Sequence, residues 1–449
     1  MGYKKEKHME IAKLQAVLKE AGVVGAGGAG FPTYAKIDQR ADTIILNCVE
    51  CEPLLKLHRQ LLEQYAQEIL QTFHTVGQVV GAEDICIGIK KSYKRTITAL
   101  EQYIGDYPNM RLGLLEEVYP GGDEVVLVYE VTGKAIRPGG LPIEEGVAVF
   151  NVETIYNLYR AMEQDTPNVD KLVTVVGEVA SPITVRVPIG TTMKEVVDLA
   201  GGASIDEPVY FVGGPMMGNI GNAFDPVTKT TNAIVVLPEE HIIIQKKKGN
   251  AVIELKRAAA SCCQCSMCTD LCPRHQLGHP VEPNLFMQAA TCKDIQNPDT
   301  FLNTMFCSSC GLCEMYSCMQ GLSPRTLMSE YKSGLRKAGV KPPSEPKVKP
   351  VEKSRKYRKV PMKRLMARLD LTKYNKKAPL NNSVVPISKV KIMLLQHIGA
   401  PTIATVKKGD IVKVGQVIGK ANKGLSSTIH ASIDGKVIEV TDRYITIQK

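Results

Sequence analysis

The chain has 449 residues, a formal net charge of +10 at pH 7, 44% hydrophobic residues and 13 cysteines. This length predicts several domains, each able to bury a core of its own. No apolar run reaches the roughly 18 residues of a membrane span, and the first residues lack the apolar segment of a secretory signal. We therefore expect no direct membrane span and a reducing compartment in which the cysteines stay free.

Residues 1–165 alternate predicted helices and strands. Apolar residues at helical spacing predict an amphipathic helix over residues 9–21, closed by Gly22. A strand over 43–46, a helix over 54–74, a strand over 85–89 and a helix over 93–104 follow. Strands that alternate with helices are typical of a largely parallel sheet, so we predict an α/β domain here.

A glycine-rich run, Gly25-Ala-Gly-Gly-Ala-Gly30, lies between the first helix and the first strand. Glycine lets backbone N–H groups approach a phosphate closely, and a helix N-terminus nearby adds partial positive charge. The spacing is neither the dinucleotide fingerprint in its strand–turn–helix context nor a P-loop. Taken alone, the run is compatible with a structural turn or with a phosphate site.

Residues 166–250 have a different pattern, with short strands over 172–179 and 183–188 and a helix over 192–200. This arrangement resembles a small ubiquitin-like β-grasp module. We predict that it forms a separate domain.

Residues 251–335 contain two cysteine runs that are typical of iron–sulfur proteins. The runs are Cys262-x2-Cys265-x2-Cys268-x3-Cys272-Pro273 and Cys307-x2-Cys310-x2-Cys313-x4-Cys318. In two-cluster ferredoxins the fourth cysteine of each run binds the other cluster. The pattern therefore predicts one [4Fe–4S] cluster held by Cys262, Cys265, Cys268 and Cys318, and a second held by Cys307, Cys310, Cys313 and Cys272, in a helical ferredoxin-like domain.

Structural zinc is the alternative for these cysteines, although four-cysteine zinc sites use two Cys-x2-Cys pairs and not two triplets. One departure from the ferredoxin pattern is that four residues, not three, precede Cys318. The five other cysteines are expected to be inert thiols, with a redox role at Cys48 and Cys51 left open.

All the net positive charge comes from one segment, so it does not indicate nucleic-acid binding. Residues 336–377 hold 16 Lys and Arg against 3 Asp and Glu, which leaves the rest of the chain with a net charge of −3. Five prolines lie in the same segment. This composition predicts an extended, solvated linker over 336–385, or a segment that docks an acidic partner or an anionic surface.

Residues 386–449 are rich in short strands and turns and resemble the flattened barrel of lipoyl and biotinyl carrier domains. The turn Ser432-Ile-Asp-Gly435 has no lysine at the position where such domains carry their prosthetic group. We therefore expect a structural barrel that packs against the rest of the chain.

Several motifs resemble known flavoproteins. They are Gly25-Ala-Gly-Gly-Ala-Gly-Phe-Pro-Thr33, Asn47-x-x-Glu-x-Glu-Pro53, Tyr119-Pro-Gly-Gly-Asp-Glu124, Asn151-Val-Glu-Thr154, Gly213-Gly-Pro-Met-Met-Gly218 and Gln396-His-Ile-Gly-Ala-Pro401. They resemble the flavin-binding subunit of respiratory complex I and, more closely, the RnfC subunit of the Rnf ion-translocating complex, in which the barrel comes first. The barrel-last order and the run from Cys310 to Pro324 resemble the cobalamin reductase family of propanediol-utilising bacterial microcompartments.

This resemblance implies a multidomain α/β protein. Its parts would be a Rossmann-like FMN-binding α/β domain (1–165), an SLBB-like β-grasp module (166–250), a two-cluster ferredoxin-like domain (251–335), a linker (336–385) and a lipoyl-like barrel-sandwich domain (386–449). The residues implied at the FMN are Gly25, Gly27, Gly28, Lys36, Asn47, Glu50, Gly122, Asp123, Glu124, Asn151 and Thr154, with Phe31 near the nicotinamide of NADH. No catalytic side chain is assigned.

The resemblance disagrees with propensity in one place and with the complex I motif in another. The β-branched residues of 124–131 favour a strand, whereas the family has a helix, which we adopt. At Val49 the complex I motif has an acidic residue, so one polar contact at the flavin would be missing.

The implied activity is electron transfer from NADH, through FMN and two [4Fe–4S] clusters, to a corrinoid. The corrinoid would be free or held by a corrinoid enzyme, such as an adenosyltransferase or a diol dehydratase system. The implied location is the bacterial cytoplasm, inside a microcompartment, with a shell protein as a further candidate partner of the N-terminal helix. The rival hypotheses are an Rnf-like electron-transfer module of a membrane complex or an amino-acid reductase system, and a zinc-containing binding module without enzymatic activity.

Overall fold

The computed structural model describes residues 10–449; Met9, at the start of the predicted first helix, and the residues before it lie outside the described part. The first domain contains a four-stranded sheet. Its elements are α1 (Ile11–Glu20), β1 (Thr43–Cys48), α2 (Leu57–Gln64), α3 (Ala66–Val80), β2 (Asp84–Lys90), α4 (Lys94–Glu101), β3 (Met110–Leu115), β4 (Val118–Tyr119), α5 (Glu124–Thr132), β5 (Val147–Asn151) and α6 (Val152–Glu163). The strand order is β3-β2-β1-β5 with every pairing parallel, as the alternation of elements predicted.

Both faces of this sheet are buried. Because successive side chains of a strand point to opposite faces, Ile44 and Ile45 enter different cores. Ile44 packs with α1, α3, α4 and α6, which cover one face. Ile45 packs with Leu127 and Val128 of α5 on the other face. A parallel sheet covered on both sides is the expected environment for such aliphatic strands.

Two helices test the predictions for this domain. The single helix predicted over 54–74 is wrong: Leu54 has φ +72°, and a break at Tyr65 separates α2 from α3. The helix that the resemblance implied over 124–131 is confirmed as α5. The Asp123 carboxylate accepts hydrogen bonds from two N–H groups in its first turn, and Gly133, at φ +75°, ends it. Capping and burial thus outweigh the strand propensity of its β-branched residues.

The β-grasp module follows. Its elements are β6 (Asp170–Gly177), β7 (Ile183–Pro188), α7 (Met193–Asp198), β8 (Val209–Val212), β9 (Asn219–Gly221), β10 (Ala233–Leu237) and α8 (Ile242–Lys247). Thr192 and Glu195 form a capping box at the start of α7. Apolar side chains of α7 and the sheet form a separate core.

The cysteine-rich domain is helical, as predicted. Its helices are α9 (Ala251–Ser261), α10 (Met267–Asp270), α11 (Pro273–Gln276), α12 (Pro283–Cys292), α13 (Asp299–Leu302) and α14 (Pro324–Lys337). The cysteine loops lie between these helices.

The prediction of a solvated linker is wrong for most of the basic segment. It contains β11 (Val360–Pro361), α15 (Met362–Arg368) and β12 (Leu380–Val384). Strand β11 pairs with β4 of the first domain, and β12 joins the β-grasp sheet beside β7, giving the order β12-β7-β6-β10-β8-β9. Leu365 of α15 is fully buried.

Composition misleads here because part of the segment's charge is paired within the fold. Arg355 and Lys359 both contact the Glu130 carboxylate, at 2.5 and 2.9 Å. Residues 339–354 contain no helix or strand and are mostly exposed, so the prediction describes only this shorter part.

The last domain is a barrel of short strands. These are β13 (Lys389–Met393), β14 (Ile403–Ala404), β15 (Ile411–Val412), β16 (Val417–Lys420), β17 (Ile429–His430), β18 (Gly435–Val440) and β19 (Tyr444–Gln448), in sheets β13-β19-β18-β15 and β14-β16-β17. Ser432, at the turn where carrier domains bear a lysine, is buried and donates a hydrogen bond to the Ile189 carbonyl at 2.6 Å. The turn is thus a packing contact. Within residues 10–449, no helix has both the length and the apolar character needed to cross a bilayer.

A buried lysine joins three of these domains. The Lys229 ammonium of the β-grasp module donates to the Gly22 carbonyl after α1 at 2.7 Å and to the Thr428 carbonyl of the barrel at 3.0 Å. Its surroundings offer carbonyls and no carboxylate, so burial lowers the pKa of Lys229 to about 7. His397 and His430 lie nearby, and burial lowers the pKa of each, so both are neutral above pH 7.

The folded state of the basic segment can be tested at α15. We expect Leu365→Ala to lower the free energy of unfolding by about 2–5 kcal/mol, because it opens a cavity under a helix that packs on two domains. Val348→Ala, at a 58% exposed residue of the irregular part, is the matched control and should change stability by less than about 0.5 kcal/mol. Equal effects in a denaturant titration would restore the linker prediction.

Lys229 predicts a specific pH dependence of stability. The pKa of its ammonium is about 7 in the folded chain and near 10.5 when unfolded, so between these values the unfolded chain binds one more proton. Folding therefore becomes more favourable as pH rises through this window. Relative to Lys229→Met, the unmodified protein should gain up to about 1.4 kcal/mol per pH unit between pH 7 and 10 and nothing below about pH 6. Thermal unfolding checks this, with exposed Lys420→Met as the control; a pH-independent difference would contradict it.

Candidate iron–sulfur and flavin sites

The eight predicted ligand cysteines lie in two hollows of the helical domain, and each hollow takes cysteines from both runs. The first hollow is lined by Cys262, Cys265, Cys268 and Cys318, and the second by Cys272, Cys307, Cys310 and Cys313. These are the two groups of four that the crossed ferredoxin pattern predicted.

The two cysteine loops share one backbone conformation. Gln264 and Ser309, each two residues after the first cysteine of its run, have φ of +55° and +58°. Ser266 and Gly311, each directly after the second cysteine, have φ of +62° and +83°. Backbone of this kind aims N–H groups into a concavity that suits a negatively charged group. In the second loop, the N–H of Ser309 donates to the Cys307 sulfur at 3.3 Å.

A π-helical turn accommodates the extra residue of the second run. In the first run, α10 leads from Cys268 towards Cys272 as a regular helical turn. In the second, Cys313–Ser317 forms the wider π turn, and the Ser317 hydroxyl donates to the Leu312 carbonyl at 3.0 Å. The following residue, Cys318, thereby still reaches the first hollow, where the N–H of Leu322 donates to its sulfur at 3.3 Å.

Burial changes the acidity of four of the eight cysteines. It raises the pKa of Cys268 and of Cys272 to about 12, and the pKa values of Cys310 and Cys313 also lie far above the ordinary thiol value. Such thiols stay protonated at neutral pH unless a metal replaces their protons. Four thiols facing one hollow therefore fit a cluster whose iron atoms neutralise their charge.

A zinc ion and a cubane differ in how closely their cysteine ligands must be grouped. A structural zinc ion needs four sulfurs, each about 2.3 Å from one centre. In the part of the chain that the structure describes, no three Cys, His, Asp or Glu side chains are grouped closely enough for a single ion. A cubane binds its four cysteines at separate corners, so its ligands stand further apart.

The other cysteines lie outside both groups of four. Cys48 and Cys86 are buried in the first domain, and Cys263 and Cys292 are exposed. Burial raises the pKa of Cys51 to about 12, so this thiol beside the flavin motifs is unreactive at neutral pH. Cys263 lines the first hollow as a fifth thiol.

The predicted flavin residues meet at the carboxyl edge of the parallel sheet. Asn47, near the end of β1, lies in register with Asn151, the last residue of β5. The Asn47 amide donates to the Gly122 carbonyl at 2.9 Å, and the Thr154 hydroxyl of α6 accepts the N–H of Ala26 at 3.0 Å. The glycine-rich run is thereby anchored above the strand ends, where open α/β sheets bind their ligands.

The glycine-rich run has the shape of a cradle. The N–H of Gly25 donates to the Phe31 carbonyl at 2.8 Å, which closes the loop on itself. Gly28, at φ +60°, is exposed, and no atom lies within 4 Å of the position that a Cβ would take. At Gly27 a Cβ would lie 2.6 Å from the amide nitrogen of Asn232, a residue of the β-grasp module. The loop therefore offers free space at Gly28 and close backbone approach at Gly27, which fits a bound phosphate.

Lys36 and Phe31 lie together beside this loop. The Lys36 ammonium is 3.0 Å from a Glu124 carboxylate oxygen, donates to the Val149 carbonyl at 2.9 Å and lies 5.9 Å from the centre of the Phe31 ring. All three side chains that the resemblance implied here are partly exposed. They can meet a ligand without losing the contacts that hold them.

Two other implied flavin residues are already paired. Glu50 is buried, accepts the N–H of His58 at 2.7 Å and contacts the Arg59 guanidinium at 3.3 Å. Asp123 caps α5 and forms a two-bond ion pair with Arg274 of the cysteine domain, at 2.6 and 2.9 Å. Glu50 and Asp123 therefore orient the backbone around them, and each carboxylate is already paired with an arginine.

Sequence reasoning missed three residues at this edge. Asn232 and Arg274 come from other domains, and no local pattern marks them. Glu52 stands in a quoted motif but was not assigned a role. Its carboxylate accepts the N–H groups of Met216 and Met217 at 2.8 and 3.0 Å, and burial raises its pKa to about 7. It joins the flavin motif to the motif Gly213-Gly-Pro-Met-Met-Gly218 of the β-grasp module.

Family models match all four domains. They are the Nuo51 FMN-binding domain over residues 18–160, the SLBB domain over 172–219, the 4Fe-4S dicluster domain over 261–323 and the RnfC barrel sandwich hybrid domain over 370–449. The predicted fold class is confirmed, and the chain contains an FMN-binding domain and an iron–sulfur domain.

Curated relatives align with nearly the whole chain. Proteins named cobalamin reductase PduS are 40% identical to it: that of Salmonella typhimurium over 98% of both chains, and that of Citrobacter freundii over 96% of this chain and 95% of the relative. A component of the Na⁺-translocating ferredoxin:NAD⁺ oxidoreductase complex of Acetobacterium woodii is 31% identical over 60% of this chain and 59% of its own length.

The crossed ligand sets predict how iron content responds to single substitutions. Cys318→Ser should remove the cluster of the first hollow and lower bound iron from about eight to about four atoms per chain. Cys263→Ser changes a neighbouring thiol that lines the same hollow and should leave the iron content unchanged. Anaerobic purification with iron and sulfide analysis measures both. Iron loss in Cys263→Ser with none in Cys318→Ser would mean that the fifth thiol is the ligand.

Proposed function

Because the chain belongs to the PduS cobalamin reductase family, we propose that it passes electrons from NADH, through FMN and two [4Fe–4S] clusters, to a corrinoid. The chain is a flavin- and iron–sulfur-containing oxidoreductase, as its family and domains establish. The observation that carries the finer proposal is the crossed grouping of eight cysteines into two hollows, in a domain that contacts the FMN-binding domain directly.

FMN supplies the conversion between a two-electron hydride donor and one-electron acceptors when it is bound. We assign its phosphate to Gly25, Gly27 and Gly28, with the Lys36 charge close by. The flavin ring is assigned to the strand ends, where Asn47 donates to the Gly122 carbonyl and the Asn151 side chain accepts the N–H of Glu153 at 2.9 Å. Phe31, partly exposed beside Lys36, is the residue available to meet a nicotinamide ring at the rim.

The acidic residues of this site hold neighbouring groups in place. Glu50 holds the loop after β1 through the N–H of His58, and Asp123 holds the first turn of α5. Glu124 keeps the Lys36 ammonium within reach of the glycine loop. Hydride transfer itself moves no proton from the protein, and the proton of the hydride is released to solvent when its two electrons pass on singly. No side chain is assigned as an acid or base for that release.

The remaining assignments rest on the family resemblance that the sequence motifs imply. The corrinoid would be free or held by an adenosyltransferase or a diol dehydratase system, and the site of action would be the bacterial cytoplasm, within a microcompartment. A shell protein is a further proposed partner. Domain boundaries at 165, 250, 335 and 385 are proposed as well, with the qualification that residues 355–384 are folded onto the neighbouring domains.

The assignment predicts NADH-dependent cobalamin reduction by the purified protein. After anaerobic reconstitution, NADH should bleach the bound flavin and convert cob(III)alamin to cob(II)alamin, followed by absorbance. Cys313→Ser should lower this rate by at least about tenfold, because it removes a ligand of one cluster. Cys292→Ser, at an exposed cysteine outside both hollows, should leave it unchanged.

Each other outcome points to a different function. If NADH reduces artificial acceptors but not cobalamin, the corrinoid assignment falls and the Rnf-like electron-transfer module becomes the better description. A colourless protein that contains zinc would overturn the oxidoreductase mechanism proposed here.

A further inference from the structure

The two hollows differ in their relation to the flavin-binding domain. Around the second hollow, the Tyr119 hydroxyl donates to the Cys310 carbonyl at 2.6 Å. The His279 ring nitrogen Nε2 lies 2.8 Å from the Ile136 carbonyl. Tyr119, Ile136 and His279 are all buried, so these contacts form a dry interface. The second hollow therefore lies against the domain that binds FMN.

An ion pair crosses the same interface. The Arg274 side chain lines the second hollow, is about 10% exposed and makes a two-bond contact with Asp123. Asp123 in turn accepts N–H groups from the first turn of α5. The helix begins with Glu124, whose carboxylate holds Lys36 beside the glycine-rich loop. Two ion pairs and the first turn of α5 thus connect the second hollow to Lys36, whose ammonium lies 5.9 Å from the centre of the Phe31 ring, directly after the glycine-rich run.

The first hollow has a different environment. The residues that line either hollow all belong to the cysteine domain, but the contacts with the FMN-binding domain described above are made beside the second hollow. Cys263 and Cys265 are exposed, and the Met319 side chain at its rim is 69% exposed. A centre held here is close to solvent and open to an external acceptor.

We propose that the Arg274–Asp123 ion pair is a positioning device that makes the second hollow the entry point for electrons and the first hollow the exit. The proposal rests on the proposed function for the presence of FMN and of both clusters. Each transfer oxidises the donor centre by one electron and reduces the next by one. Two successive transfers deliver the two electrons of one hydride, and its proton is released to solvent.

The chain offers a closely matched control for the charge of Arg274. Arg325 also lines the second hollow, is about 11% exposed and is paired with a carboxylate, that of Glu314, at 2.9 Å. Its partner belongs to the cysteine domain, so this pair does not reach the flavin side. Loss of either arginine removes one positive charge beside the same cluster, but only loss of Arg274 breaks the contact with α5.

The order of reduction can be measured without NADH or a corrinoid. In the full-length protein with iron and FMN restored, illumination of bound FMN with oxalate as sacrificial reductant supplies the electrons. Freeze-quench EPR then follows the clusters, whose signals are assigned with Cys313→Ser and Cys265→Ser. The signal of the second cluster should rise first. A first-hollow signal that rises earlier would overturn the proposal.

The arginine variants test the positioning role. Arg274→Gln and Arg325→Gln should both lower the reduction potential of the second cluster, since each removes a nearby cation. Arg274→Gln alone should also slow the first transfer by about tenfold, equivalent to about 1.4 kcal/mol in activation free energy. Arg274→Lys keeps the charge but not the two-bond geometry, so it should restore the potential and only part of the rate. Equal rates in Arg274→Gln and Arg325→Gln would reduce Arg274 to an electrostatic role and refute the proposal.

If NADH fails to reduce cobalamin while light still reduces the second cluster before the first, the proposed substrates are wrong and the electron route is supported. If NADH reduces cobalamin but the first cluster is reduced before the second, the electron route is wrong and the proposed function is supported.

Discussion

The crossed exchange of cysteines is the constraint on which the electron-transfer domain depends. Each hollow takes three cysteines from one run and the fourth from the other run. Neither cysteine loop can therefore complete its site unless the second loop is folded beside it. Buried thiols with strongly raised pKa values give up their protons only to a metal. If clusters occupy both hollows as proposed, their assembly and the folding of this domain are coupled events. The π turn after Cys313 shows how strictly the geometry is kept, because one extra residue is absorbed locally and Cys318 is not displaced.

Contacts between domains also fix the positions of the domains relative to one another. The basic segment is not a spacer before the barrel. It pairs with β4, adds β12 to the β-grasp sheet and packs through α15 into one core that it shares with the first domain, the β-grasp module and the cysteine domain. Redox centres exchange electrons only when they are held at short and constant separations. A flexible connection between the FMN-binding and cluster domains would defeat that requirement. The Asp123–Arg274 ion pair joins these two domains, and the partly buried pairs of Glu130 with Arg355 and Lys359 hold the basic segment against the first domain.

Features that depend on residues close together in the sequence were predicted, whereas features that depend on contacts between distant parts of the chain were not. Cysteine spacing predicted each loop of three because a loop around a cluster corner is a local structure, whereas the crossed fourth cysteine was predicted from the two-cluster ferredoxin pattern. The alternation of strands and helices predicted the parallel sheet for the same reason. Composition failed for residues 355–384, since the acidic partner Glu130 lies more than 200 positions earlier. Asp123 and Arg274 are 151 positions apart, so no local pattern could join them. Propensity also failed for α5, where end caps and burial outweigh β-branched side chains.

The barrel explains why domain order can vary in proteins of this kind. It covers the glycine-rich run: the N–H of Ile398 donates to the Ala29 carbonyl at 2.9 Å, and a Cβ at Gly30 would lie 3.0 Å from the Gln396 carbonyl oxygen. It also meets the end of α1, where Lys229 joins the Gly22 and Thr428 carbonyls. The barrel therefore packs beside the N-terminal helix although it is last in the chain. In the RnfC subunit, which the chain resembles, the barrel comes first. A domain whose contact surface lies next to the opposite terminus can move from one end of a chain to the other without changing its packing. The fold thus requires that the barrel pack against the glycine-rich run, and this packing does not depend on the position of the barrel in the chain.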